Sequence, residues 1–113
     1  MVNELNVRLE YAVEKDVLCI IVLPERDVET RTMGYGDSVL VFHEKLNPHV
    51  IVGIEVFDFI EMVHGMDHKG IILPEFDVTF TVASSSLRGI TFEDMLTWAY
   101  GQFVVKAQVV EVT

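Results

Sequence analysis

The sequence predicts an α+β fold: an antiparallel β-meander of about five short strands, followed by a short helix, a strand, a second helix and a last strand. Two observations lead there. Short apolar runs and two-residue alternations, broken by turn residues, fill the first half. The second half carries one well-marked, capped amphipathic helix between further strand patterns.

The elements follow in order. In "LNVRLEY" (5–11), Leu5, Val7, Leu9 and Tyr11 alternate with Asn6, Arg8 and Glu10, the pattern of a half-buried strand. "VEKD" (13–16) is a polar turn, and "VLCIIVL" (17–23) is apolar on both faces, as a central strand requires. Pro24 closes it because proline has no N–H for the ladder. "DVETRT" (27–32) reads as a solvated strand and "GYGD" (34–37) as the turn after it. "SVLVFH" (38–43) and "VIVGIEVF" (50–57) form a further pair, with Asn47-Pro48 breaking the connection.

Asp58 then stands as the cap of a short helix over 59–64, with Gly65 in the place of a terminating glycine. "FDVTFTV" (76–82) alternates as a strand, and "ASSSLRG" (83–89) is a loop. In "TFEDMLTWAYG" (91–101), Thr91 caps and acids occupy the first turn. Phe92, Met95, Leu96, Ala99 and Tyr100 form its apolar stripe, and Gly101 is the expected stop. "FVVKAQVVEV" (103–112) reads as the last strand, with a parity shift near Val109 and Val110.

A chain of 113 residues, half of them hydrophobic, reads as one domain over 1–113. Chains of that size bury about 65% of the unfolded surface in a single core. No apolar run reaches the roughly 18 residues of a membrane span, and no secretory signal is visible, so no membrane association and a cytoplasmic location are expected. Cys19, the single cysteine, lies in an apolar run and reads as core packing. Eighteen acids against eight bases give a net charge of −10. That field repels phosphate backbones, so no nucleic-acid partner is expected, while a basic protein or a cationic ligand is favoured. Solubility alone also accounts for the charge.

The first half resembles a known family. "YAVEKDVLCI" sets Tyr11, Asp16, Leu18 and Ile20 at the spacing Y-x4-D-x-L-x-I, and "MGYGDSVLVF" and "VIVGIEVFDF" follow. Over about residues 7–60 these segments resemble the small prokaryotic domain-of-unknown-function family 2283, most specifically in "VGIEVFD" (52–58). The connection "HEKLNPH" departs from the family's acidic, glycine-containing turn, and Cys19 stands where an aromatic is common. The resemblance implies a strand framework with no assigned activity and no catalytic residues. Residues 61–113 are then an α/β extension packing on it.

Few constellations carry chemistry. His64, Asp67 and His68 in "VHGMDHKG" are metal-ligand types at i and i+4, interrupted by Gly65, and read equally as a polar turn. His43, Glu44 and His49 flank one loop and form a second, weaker set. Ser84, Ser85 and Ser86 lack a nucleophile elbow, and Glu93 and Asp94 are adjacent and diverge on a helix. Gly53, Glu55 and Asp58 are explained by strand geometry and helix initiation. Trp98 falls off the helix stripe and, with Val110 and Val112, is a candidate partner contact.

No catalytic residue and no cofactor is therefore assigned. The sequence favours a non-enzymatic interaction module that self-associates, as a dimer first, through its sheet or helices. An antitoxin-like partner that neutralises a basic protein is one alternative. A metal-binding or small enzymatic domain using the His64 region is the other.

Overall fold

In the computed structural model, which describes residues 3–35, 38–66 and 76–106, the first two strands make a hairpin. β1 (Asn3–Ala12) and β2 (Val17–Val22) pair antiparallel, with Val7 opposite Val22 and Ala12 opposite Val17. β3 (Thr30–Tyr35), β4 (Val39–Glu44) and β5 (Ile51–Phe57) form an antiparallel succession. β5 then lies antiparallel to β2, and β6 (Val78–Val82) adds parallel to β1. The result is one six-stranded mixed sheet of order β3-β4-β5-β2-β1-β6. The fold is α+β, mostly antiparallel, with the five early strands followed by helix, strand and helix. β2 sits at the centre, as its apolar character on both faces requires.

Two helices cover one face. α1 (Phe59–Met66) and α2 (Phe92–Tyr100) bury Phe59, Met62, Phe92, Met95, Leu96 and Ala99. Opposite them, Val7, Leu18, Ile20, Val41, Ile54 and Val56 are at most 1% exposed and join the same core. The pairing register places these strand residues on one face, since side chains alternate along each strand. Glu10, Cys19, Glu55 and Leu40 lie side by side on the opposite face, which the helices leave uncovered.

Strand ends differ from the sequence reading by one or two residues in β1, β2, β5 and β6, and four larger departures each have a physical reason. β3 runs over Thr30–Tyr35, so Gly34 and Tyr35 belong to a strand that was expected at 27–32 with a turn at 34–37. All six residues are exposed, and a strand with no buried face carries no apolar alternation to set its register.

α1 passes through Gly65 to Met66 rather than stopping at His64. A helical glycine costs about 1 kcal/mol, which the burial of Phe59 and Met62 outweighs.

The cap of α1 is also corrected. Asp58 takes a left-handed conformation (φ 50°), and its carbonyl accepts from Met62 N. The carboxylate that receives the first-turn Ile60 amide belongs to Asp16, 44 residues earlier in the chain.

At the end of α2, Gly101 is right-handed helical (φ −59°) and the helix continues as a π-helical turn, Gly101–Val105. The strand expected from 103 is thus absent over 103–106, and its remainder, 107–112, lies outside the described residues. Phe103, Val104 and Val105 have strand preferences. Here Val104 is 6% exposed in the core and Phe103 stacks near Tyr11, so packing overrides propensity. The helix expected at 91 is otherwise in place, with Thr91 Oγ1 accepting from Asp94 N at 3.1 Å.

Candidate functional site

Three places on the molecule hold polar groups in defined geometry. The first ties the β1–β2 turn to α1. The turn over 13–16 ends at Asp16 in a left-handed conformation (φ 54°), a conformation asparagine and aspartate tolerate better than other residues. That turns its carboxylate towards Tyr11, whose hydroxyl donates to Oδ1 at 2.6 Å. The same carboxylate accepts from Ile60 N at 3.2 and 3.3 Å, and the Asp16 carbonyl accepts from Phe59 N at 3.1 Å. Two orphan donors of the α1 first turn are thereby satisfied, and an anion sits at the positive end of the helix.

Tyr11 also packs on Phe59 and Phe103, with ring centroids 5.5 and 5.9 Å away. Burial foremost, then the Asp16 hydrogen bond and charge, and Tyr100, push the Tyr11 phenol up to about 12 from its usual 10.0. It stays protonated as a fixed donor, so this is a structural joint rather than a reactive centre.

His64 stands at the far end of α1. Its Nε2 lies 2.7 Å from the Tyr100 hydroxyl, and the two rings meet edge-on at 5.4 Å. It therefore joins α1 to α2. Asp67 and His68, its expected co-ligands, lie outside the described residues. Among the described residues, no group of three or more histidines, cysteines or acids is placed to hold a metal ion.

The second place is on β4. His43 follows Val41 on the helix-covered face, next to a bulge where Phe42 pairs with Gly53 but His43 with Ile51. Both ring nitrogens are buried and have no hydrogen-bond partner among the described residues. The ring lines a cavity of about 180 Å³ with Arg31, its cross-strand neighbour, and with Met33 and Pro48.

Glu44 and His49, grouped with His43 by sequence, go elsewhere. Glu44 meets Arg26 at 3.4 Å, and His49 lines a separate cavity of about 370 Å³ with Leu5, Val22 and Val78.

The third place is the sheet edge. β6 is covered along its outer side, where Phe80 and Ile90 exchange backbone hydrogen bonds and Val82 N donates to Leu87 O. β3 pairs only with β4 among the described residues, and every one of its residues is exposed, Met33 by 50%.

Other expected positions have plain roles. Trp98 is half-buried against the core; Val110 and Val112 lie outside the described residues. The Ser85 hydroxyl donates to Val82 O and accepts from Leu87 N, shaping the loop. Glu93 and Asp94 sit in the first turn of α2. Gly53 lies under Phe42: a Cβ there would meet Ile20 O at 3.4 Å and the Phe42 ring at 3.9 Å.

Cys19 is flanked across the strands by Glu10 and Glu55. Burial, then the charges of Glu55 and Glu10, raises its thiol above the usual 9.0.

Sequence reasoning missed Asp16 as the α1 cap and the cross-strand neighbours Arg31 and His43. Only the first left a signal, in the spacing of Tyr11 and Asp16. No protein-family model matches the chain, and no curated protein and no solved structure matches it either.

Proposed function

We propose that this chain is a non-enzymatic binding module that pairs with a second copy of itself along the β3 edge. The observation that carries this reading is the asymmetry of the sheet's two edges. β6 is covered by its own chain, whereas β3 presents six exposed residues and an outer edge that no other described strand pairs with. A strand's unpaired N–H and C=O groups are a template for another strand. The common protections are thin here: Arg31 is the one charged side chain within Thr30–Tyr35, and proline is absent from the stretch. Met33 and Tyr35 add exposed apolar surface beside that edge. An antiparallel, two-fold pairing of β3 with its copy is the closed arrangement such an edge favours.

The reading takes the protein as cytoplasmic, in keeping with its lone cysteine, and as having no nucleic-acid partner, in keeping with its net charge of −10. No helix among the described residues is long and apolar enough to cross a membrane. We also propose that residues 7–60 share the strand framework of family 2283; the Tyr11–Asp16 hydrogen bond gives that motif's spacing a physical purpose.

Light scattering across a concentration series tests the pairing. The expected result is a dimer that Thr30→Lys/Thr32→Lys converts to monomer, because these exposed positions would bring lysines together across the two-fold. A wild-type monomer at several hundred micromolar would overturn it, as would a dimer indifferent to the substitutions.

A further inference from the structure

We propose that the sheet face turned away from α1 and α2 docks a helix of another protein, one that carries a lysine or arginine beside an apolar stripe. The pairing register defines this face. Ile21 on β2, Gly53 on β5 and Phe42 on β4 stand in one row across the strands, and Cys19, Glu55 and Leu40 stand in the next. Ile21, Leu40 and Phe42 are half-buried and do not belong to the core beneath the helices. An antiparallel sheet with one covered face ordinarily turns polar side chains to water on the other. Here the outward face of three inner strands is largely apolar, as it would be under a second layer.

The shape suits a helix. β2 and β4 flank β5, so Ile21 stands two strand spacings from Leu40 and Phe42, roughly 10 Å, about the diameter of a helix. Gly53 has no side chain and leaves a trough between them along β5.

The charge selects the partner. Glu55 stands within the apolar patch, with Cys19 and Leu40 on either side. Glu10 lies in the same row, one strand beyond Cys19. Both carboxylates act on the Cys19 thiol, so their fields converge on this patch. Arg8, beside Ile21 in the neighbouring row, already meets Glu10 and Glu25 at 3.3 and 3.4 Å. A cation on Glu55 with apolar contacts around it is the arrangement of an interface hot spot. A second copy would instead set Glu55 and a net charge of −10 against the same, and an anionic membrane would be repelled likewise. These side chains stand on a sheet face and leave the β3 backbone edge open, so the docking is independent of strand pairing.

The probe is an amphipathic helical peptide of leucine and lysine, about 18 residues long. Its controls are the same composition with the stripe scrambled, and a leucine–glutamate analogue. Each is titrated into the full chain, following the methyl signals of Ile21 and Leu40 by NMR, with Ile60 on α1 as reference. The expected result is saturable shifts at Ile21 and Leu40, with the leucine–lysine peptide binding at least about tenfold tighter than either control. Glu55→Lys should weaken it about tenfold or more. Glu61→Lys, the same charge change at an exposed position on α1, should leave it within about twofold. Ile21→Ser should weaken it about fivefold or more by removing an apolar contact. Equal binding of the scrambled peptide, or an equal loss in Glu61→Lys, would overturn the proposal. So would shifts centred on Ile60, or no saturable shift on a protein whose amide spectrum shows it folded. Shifts at Ile21 and Leu40 that follow protein concentration without peptide would give the face to a second copy and overturn it too.

Discussion

The Tyr11 hydroxyl donates to the Asp16 carboxylate at 2.6 Å, and that carboxylate also receives the Ile60 amide. One aspartate in a β-turn thus closes its own hairpin and holds a first-turn amide of a helix, 44 residues further on. The hairpin, the end of β5 and α1 are locked together at a single polar point, because Asp58 places the helix start directly after β5.

This joint predicts a graded mutational pattern. Asp16→Gly keeps the left-handed backbone at no steric cost but removes the cap and the phenol's acceptor, and should destabilise by about 1–3 kcal/mol. Asp16→Asn retains an acceptor oxygen and the conformation, and should cost less. Tyr11→Phe should cost about 0.5–1.5 kcal/mol. Because both groups share one contact, the Tyr11→Phe/Asp16→Gly double variant should lose less than the two separate losses combined. Urea unfolding of the four variants checks the order; Asp16→Gly as stable as wild type would refute the capping role.

Alkali should weaken the fold through the same residue. The folded Tyr11 phenol titrates near 12 and the unfolded one near 10.0, so the native state holds this proton more tightly. The resulting stabilisation is complete below pH 10 and is lost as pH rises from about 10 to about 12. Phenolate absorbance of the native protein should show one tyrosine titrating late, and Tyr11→Phe should remove that late step and flatten the loss of stability.

Cys19 should be a slow thiol. Its neighbours Glu10 and Glu55 and its partial burial all disfavour the thiolate, which is the nucleophile. Alkylation of the native protein near pH 8 should be slower than in the unfolded chain, and Glu55→Gln should accelerate it severalfold. An unchanged rate in that variant would contradict the electrostatic assignment.

The strands with one buried face were legible in the sequence because burial writes a two-residue period into them; β1 and β6 are the clear cases. α2 was legible from Thr91 and its stripe. β3 was misplaced because an exposed strand has no such period, and the π-helical turn because Phe103, Val104 and Val105 satisfy a strand pattern until Val104 finds the core.

The site residues were harder to read. His64 was singled out for its neighbours in sequence, while its described contact is Tyr100, 36 residues away. Asp16 acts on a helix distant in the chain, and such a partner exists only once the sheet order is known. Gly53 is not a tight approach: a Cβ there would make ordinary contacts with Ile20 O at 3.4 Å and the Phe42 ring at 3.9 Å.

Backbone hydrogen exchange of residues 30–35, measured across a hundredfold range of protein concentration, tests the β3 pairing most directly. Self-pairing predicts that protection of these amides rises with concentration, while that of β2 at the sheet centre stays constant. Protection along β3 that is independent of concentration throughout that range would contradict it.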